Sequence, residues 1–500
     1  MLQVVWFKRD LRVDDNAALT MASQAGPVLP LTVVEPGYWS GDDTSGRQYD
    51  WWASCVTALG QDIATSGGAL GIHTGTVIEA LERILDEHGA FRLLAHQETG
   101  NWWTFQRDIA VRRWCREHGI AFEELMQFGI WRGSSLNRDK WSKMWDAMME
   151  KPLLPVPEVQ WAGQNFGGEL PEERTLGLAP DPVEWKPEPG TAAAVEILRS
   201  FLHERGQEYR TDMSSPTLGA AGCSRLSPYL AVGAISIRRC YQETRKRQAE
   251  LKDDKSEEAK AWRASLRAYI GRLHWHCHFI QKLEADPELE WRPAVRAYKG
   301  MRPPSDPKLL KAYAEGSTGF PFVDACMRQL RATGWINFRM RAMLMSFACY
   351  DLFLRWQDAG TVLARLFTDY DPGIHWTQSQ MQSGESGINT LRIYNPIKQG
   401  RDHDKDGDYI REWVPELADC PTKAIHEPWE HECSLDYPDP LVDHAKAVKE
   451  AREAIYAVRR RPEVRAEAEA VLAKHGSRRR PSRRRKPRKD AVSKRQMADA

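Results

Sequence analysis

"LQVVWFKRDLRVDDNAALTMASQAGPVLPLTVV" (residues 2–34) carries the pattern that decides the fold. QVVWF is a short apolar run rich in β-branched and aromatic residues, as a strand buried on both faces requires. NAALTMASQ reads as a helix, and VLPLTVV as a second buried strand. Further on, ALGIHTG and FRLLAHQ repeat the strand signal on either side of the helical TVIEALERILDEHG. Strand and helix alternating at this rhythm predict a parallel, doubly wound sheet in an α/β domain over residues 1–135. No GxGxxG motif accompanies these strands, so dinucleotide binding in this domain has no motif behind it.

Beyond that point the composition changes. Residues 136–195, rich in Pro, Glu and Gly from KPLLPVPEVQ to DPVEWKPEPG, predict a linker laid over the surface. From TAAAVEILRSFLHERG to residue 475 the periodicity is helical, which predicts a large all-α domain over 196–475. The last segment, 476–500, holds 11 Lys and Arg against 2 Asp, a local charge of +9 in a chain whose net charge is +1. Such a Pro/Arg/Ser tail cannot bury a core and is expected to be disordered. It reads either as a salt-sensitive tether for nucleic acid, through Arg478, Arg479 and Arg480 among others, or as a solubilising tail. With no apolar run of 18 residues and nine cysteines without paired spacing, the chain is expected to be a soluble cytoplasmic protein without membrane contact.

The chemistry concentrates in two stretches. In "TGFPFVDACMRQLRATGWINFRMRAMLMSFACYDLFLRW" (318–356), the part after Gly334 predicts a buried helix, yet Asn337, Arg339 and Arg341 sit inside it. A buried arginine needs a partner, and the nearest are Asp369 and Asp371 in "FTDYDPGIHWTQSQMQSG" (367–384). That pairing serves equally a ligand site or a clamp between two helices. In "AAGCSRLSPYLAVGAIS" (220–236), Ser224 or Ser227 is expected to cap a helix, with Arg225 near a potential anion site. His274, His276 and His278 lie two residues apart, so on a helix they point about 200° apart and do not converge on a metal. Twenty tryptophans raise the prospect of a flat ligand or an electron-transfer role.

These stretches together resemble the photolyase/cryptochrome family. VVWFKRDLRVDDNAAL is similar to its N-terminal opening, CSRLSPYLAVGAIS to its flavin-phosphate loop, and TGFPFVDACMRQLRATGW to a signature segment of its flavin domain. TDYDPG, LRIYNPIKQG and DGDYIREWVPEL resemble its C-terminal flavin pocket. The resemblance runs from residue 2 to about 455 and implies a helical domain enclosing FAD. By matching position, Cys223, Ser224, Arg225, Leu226 and Ser227 are expected at the phosphates, with Tyr209, Arg272 and Asn337 lining the pocket. Arg341, Asp369, Tyr370 and Asp371 are expected around the isoalloxazine. A second antenna chromophore, folate or deazaflavin, is a possible addition in the N-terminal domain.

The same matching exposes departures. His375 stands where the family has an asparagine facing flavin N5, and Ser379 where it has the flavin-proximal tryptophan. Trp376 and Trp356 are the candidates for a substitute electron-transfer route, so His375, Trp356 and Trp376 are assigned catalytic roles. The glutamate and tryptophan that grip a cyclobutane dimer fall on Ala268 and Gly271. A methionine and an asparagine on the same wall become Ala342 and Phe338, and the histidines of (6-4) photolyases are absent. Cys349, Cys420 and Cys433 lack the C-x₂-C pair of the iron–sulfur branch, so no cluster and no metal are expected. The resemblance thus implies a blue-light photolyase acting as a monomer on damaged DNA, duplex or single-stranded, with Arg339 on phosphate. The alternatives are a cryptochrome-like receptor that repairs nothing and a flavin-free scaffold.

Overall fold

The computed structural model describes residues 1–133, 138–163, 166–431 and 436–475. Cys433 and the tail with Arg478, Arg479 and Arg480 lie outside the described residues.

Five parallel strands form the N-terminal sheet: β1 Leu2–Phe7, β2 Val28–Val34, β3 Gly71–Thr74, β4 Phe91–His96 and β5 Ala121–Leu125. Their order is β3-β2-β1-β4-β5. β1 and β2 are covered on both faces, which is why their sequences run apolar without alternation. β5 carried no signal in the sequence: AFEEL is a half-exposed edge strand with two glutamates. On one face, Val4 and Trp6 pack under the helices Val77–His88 and Trp102–Glu117. On the other, Val5 and Phe7 share one apolar cluster with Tyr209, Leu226, Tyr229 and Leu273, so that core continues into the helical domain.

The strand order reverses direction between β1 and β4, and doubly wound sheets bind ligands at the carboxyl ends beside such a reversal. Lys8 and Arg9 leave β1 there.

The segment expected to be linker opens with a helix, Arg138–Met149. Its Trp141, Trp145 and Met149 fall on one face and are buried in the shared core, a periodicity outweighed in the sequence by the Pro-rich stretch behind it. The chain then runs beside β2, with Val28 N–H donating to Gln160 O at 2.8 Å and Ala162 N–H to Val28 O at 2.8 Å.

Two local expectations are corrected. The helix Ser227–Val232 follows Leu226 as its N-cap with no side-chain cap, so neither Ser224 nor Ser227 caps it. The buried helix after Gly334 runs only over Phe338–Ser346, opens into a π turn at Phe347–Asp351, and the chain turns at Phe353 (φ 52°) before the helix Trp356–Leu366. Among the described residues no helix is long and apolar enough to cross a membrane.

Candidate functional site

One cavity of about 290 Å³ opens inside the helical domain, between the helices Glu257–Ala285, Phe338–Ser346 and Pro372–Ser383 and the segment 209–231. It is the size of a small-molecule site. Tyr209, Cys223, Ser224, Arg225, Ser227, Arg272, Asn337, Arg341, Asp369, Tyr370, Asp371 and His375 all line it. Leu226 does not: its side chain is fully buried in the apolar core, so it can offer a ligand only its backbone.

Arg225 is held in a left-handed conformation (φ 60°), its guanidinium between the Trp185 and Trp335 rings, 4.0 and 3.9 Å from their centroids. Burial lowers its pKa to about 10, against the attraction of Asp369; two indole faces supply the attraction that water would otherwise give. Trp185 comes from the stretch expected to be linker, so that segment closes over the serine loop. Trp335 Nε1 donates to Ser227 Oγ at 3.3 Å. Burial pushes the Cys223 thiol up to about 12, so it stays protonated.

Arg341 grips Asp369 with two parallel hydrogen bonds of 2.9 and 2.8 Å. Arg341 also donates from Nε to Ile336 O at 2.7 Å, leaving its guanidinium fixed in plane. Asn337 donates to Met213 O and Ser215 O at 3.2 and 3.1 Å, while its Oδ1 is buried with no partner among the described residues. Asp371 caps the Pro372–Ser383 helix, accepting from Ile374 N–H at 3.1 Å. Its other oxygen accepts from Arg9 Nη2 at 2.8 Å, across from the sheet domain. Arg9 was not singled out in the sequence, because nothing in a charge cluster 362 residues away signals that contact. Burial alone would lower the Arg9 pKa, but Asp371, Tyr38 and Glu98 together hold it above its ordinary value. The Tyr370 hydroxyl donates to Asp43, a second cross-domain tie.

His375 turns its Nε2 to the Gly360 carbonyl at 2.9 Å. A carbonyl can only accept, so Nε2 carries the proton and Nδ1 of the neutral ring is an acceptor. Burial lowers the pKa of His375 from 6.5 to about 4, with the Gly360 hydrogen bond opposing and Arg341 assisting. A depressed histidine pKa stabilises the fold fully above about pH 6.5, and the contribution is lost as the pH falls towards 4. The His375→Gln variant is therefore expected to lose less stability than the parent between pH 6.5 and 4. The difference reaches about 3 kcal/mol and is read by urea unfolding at stepped pH.

Behind His375 lies Trp376, ring centroids 4.7 Å apart, and behind that Trp356 at 5.9 Å. Trp376 and Trp356 do not line the cavity. Neither does Arg339, which is half-buried with an unpartnered Nε. Ala268 also lies off the cavity wall, and beside Gly271 a Cβ would meet nothing within 4 Å. His274 turns to Ser142 Oγ, His278 packs on Trp141 and Trp275, and only His276 lines the cavity. Among the described residues no group of three or more His, Cys, Asp or Glu could hold a metal ion. Cys349 and Cys420 are buried.

At the carboxyl ends of the strands a crevice of about 80 Å³ is lined by Trp6, Lys8, Glu35, Glu98 and Arg107. Lys8 and Arg107 both lie against the Trp6 ring, at 4.4 and 4.8 Å.

The large cavity fits FAD. Its lining offers cationic and hydroxyl groups for a diphosphate, hydrogen-bonding groups for a uracil-like edge, and apolar walls from Leu273, Ile336, Met345 and Phe367. The unpartnered Asn337 Oδ1 is one atom such a ligand would satisfy.

Comparison with known proteins agrees with this geometry. Residues 269–457 match the profile of the FAD binding domain of DNA photolyase, and residues 3–143 that of DNA photolyase. A deoxyribodipyrimidine photo-lyase from Thermus thermophilus is 31% identical over 434 residues, covering 85% of this chain and 94% of that one. Cryptochrome-2 from Arabidopsis thaliana is 29% identical, covering 90% of this chain and 79% of that one. Among solved structures, a class III photolyase from Agrobacterium tumefaciens superposes with a TM-score of 0.77 at 26% identity, covering 92% of this chain and 98% of the other. A Synechocystis cryptochrome superposes at 0.79 with 21% identity over 91% of this chain and 99% of the other, a likeness of fold alone.

Proposed function

Because the chain belongs to the photolyase/cryptochrome family, we propose that it is a blue-light-driven DNA photolyase that acts on pyrimidine dimers. The observation that carries this reading is the cavity itself, where the buried Arg341–Asp369 pair, Asp371 and the serine loop converge. When bound and reduced, FAD supplies, on blue-light excitation, the electron that opens a dimer and takes it back afterwards.

The chain's own residues prepare that chemistry. Arg225, Arg272 and Arg341 face the cavity against Asp369 and Asp371, with Arg9 behind the second aspartate. Cationic surroundings favour an electron-rich, anionic ligand. The enclosed apolar walls exclude water, which protects a reduced ligand from side reactions. With its Nε2 proton held by the Gly360 carbonyl, His375 keeps Nδ1 as a hydrogen-bond acceptor, and the edge-to-face series of rings His375–Trp376–Trp356 is the substitute path for electrons entering the cavity. A lesion flipped out of DNA costs a few kcal/mol, roughly, and least where the base is already damaged. In the same reading the protein works as a cytoplasmic monomer on duplex or single-stranded DNA, with Arg339 and the basic tail on phosphates. The cysteines, eight of them buried free thiols, suit a reducing compartment.

A second reading, a light receptor without repair, is favoured by one observation: the space beside Gly271, where the resemblance places a lesion-gripping tryptophan, is open. The two readings separate in one experiment. Reduced protein is mixed with oligonucleotides carrying one thymine cyclobutane dimer or one (6-4) product, and lesion loss is followed under blue light and in the dark. Light-dependent loss of either lesion is expected. No loss of either, with FAD bound and reduced, favours the receptor.

A further inference from the structure

Gln378 and Gln382 have no part in the flavin set described above. They stand one turn apart on the Pro372–Ser383 helix and both line the cavity. All four of their amide oxygen and nitrogen atoms are buried and have no hydrogen-bond partner among the described residues. Folded proteins leave only a few such atoms unpaired per hundred residues, and four together on one cavity wall call for an occupant that satisfies them.

Position argues that this occupant is not the flavin alone. The aspartates that face a uracil-like edge precede or cap the helix. At 1.5 Å per residue, Gln378 lies about 10 Å beyond Asp371 along it, level with Ser379 beside the expected place of the flavin, and Gln382 about 16 Å, nearly a turn past it. The neighbouring wall has lost the polar groups expected to grip a substrate. Ala342 and Phe338 line it instead, and Gly271 leaves open space.

The same cavity has two exposed aromatic rings in its lining, Trp275 at 38% and Phe338 at 42% exposure. The Arg138 guanidinium lies 4.7 Å from the Trp275 ring and that of Arg272 5.3 Å from Phe338. Exposed rings backed by cations are a platform on which bases stack. A glutamine amide offers one acceptor and one donor side by side, the complement of the N3–H and O4 edge of thymine. Two amides match two rings.

We propose that Gln378 and Gln382 hold the imide edges of a pyrimidine pair turned into the cavity, with Trp275 and Phe338 flanking its entrance. They replace the contacts missing at Ala268, Gly271, Phe338 and Ala342. The proposal rests on the photolyase reading and assigns the residues that recognise its substrate.

The test uses the full-length flavoprotein and the double variant Gln378→Leu/Gln382→Leu. Leucine is close in size and has no polar atoms to leave unpaired, so the fold is expected to tolerate it. FAD content, flavin absorption and dark binding to an oligonucleotide with and without one thymine dimer are measured side by side. The variant is expected to keep its flavin and its affinity for undamaged DNA while losing about 10- to 100-fold of its preference for the dimer. Gln382→Met alone, a smaller change, is expected to lose part of that preference. An undiminished preference in the double variant overturns the proposal. So does a lost flavin or a shifted flavin spectrum with the preference intact, which would assign the amides to the cofactor. If the parent protein itself shows no preference for the dimer, the photolyase reading fails first, before any substitution is made.

Discussion

Arg341→Ala is expected to yield a protein that purifies without FAD and unfolds about 3–5 kcal/mol more easily than the parent. Asp369 is almost fully buried, with 2% of its side chain exposed, and Arg341 is its bidentate partner. Removing the arginine leaves a carboxylate in the core with no compensating charge, and that penalty exceeds what the pair itself contributes. Arg341 also donates to Ile336 O, so the substitution frees a backbone carbonyl as well. The double variant Arg341→Met/Asp369→Leu separates the two effects. Removing both charges is expected to restore most of the stability, because a buried ion pair is often neutral or worse against apolar residues of similar size. It is not expected to restore the flavin. Urea unfolding and released-flavin absorbance measure the two quantities independently.

Arg9→Met is expected to cost about 3 kcal/mol in stability and to weaken flavin retention, although Arg9 does not line the cavity. Its guanidinium crosses from the end of β1 to Asp371 and donates through Nε to Ala231 O at 2.7 Å. The approach is close: Gly233, at φ +71°, would place a Cβ 2.1 Å from the Arg9 carbonyl, so only glycine fits there. Methionine keeps much of the side chain's length and apolar stem but leaves Asp371 without its cation. Asp371 also caps the Pro372–Ser383 helix, so the loss is transmitted to the helix that carries His375 and the two glutamines. Arg9→Lys keeps the charge but cannot reach both Asp371 and Ala231 in the same fork, and is expected to recover only part of the loss. If Arg9→Met matches the parent in both stability and flavin content, the cross-domain pair has no role in the site.

The parallel sheet was legible because β1 and β2 are buried on both faces and read as continuous apolar runs. β5 was not, because an edge strand with two glutamates looks like a solvated helix or loop. The helix Arg138–Met149 hid behind the Pro-rich stretch that follows it, although Trp141 and Trp145 already stand four apart. In the site, the aspartates and Arg341 were legible because a charge inside an apolar run demands a partner, and few candidates were near in sequence. Arg9 was illegible for the converse reason: its partner is 362 residues distant, and pairing at that range is a property of the tertiary fold. Gln378 and Gln382 gave no signal at all. An amide in a helix is ordinary until the structure shows that its atoms have nothing to bond.

If the cavity lets a bound, reduced flavin hand an electron to a DNA lesion, the emission lifetime of that flavin responds to the lesion. The reduced protein is excited with blue light alone, with an undamaged oligonucleotide, and with the same oligonucleotide carrying one thymine dimer. Electron transfer to the lesion competes with emission, so the lifetime is predicted to shorten with the dimer and to stay unchanged with undamaged DNA. An equal lifetime in all three samples, with dimer binding confirmed, would contradict it.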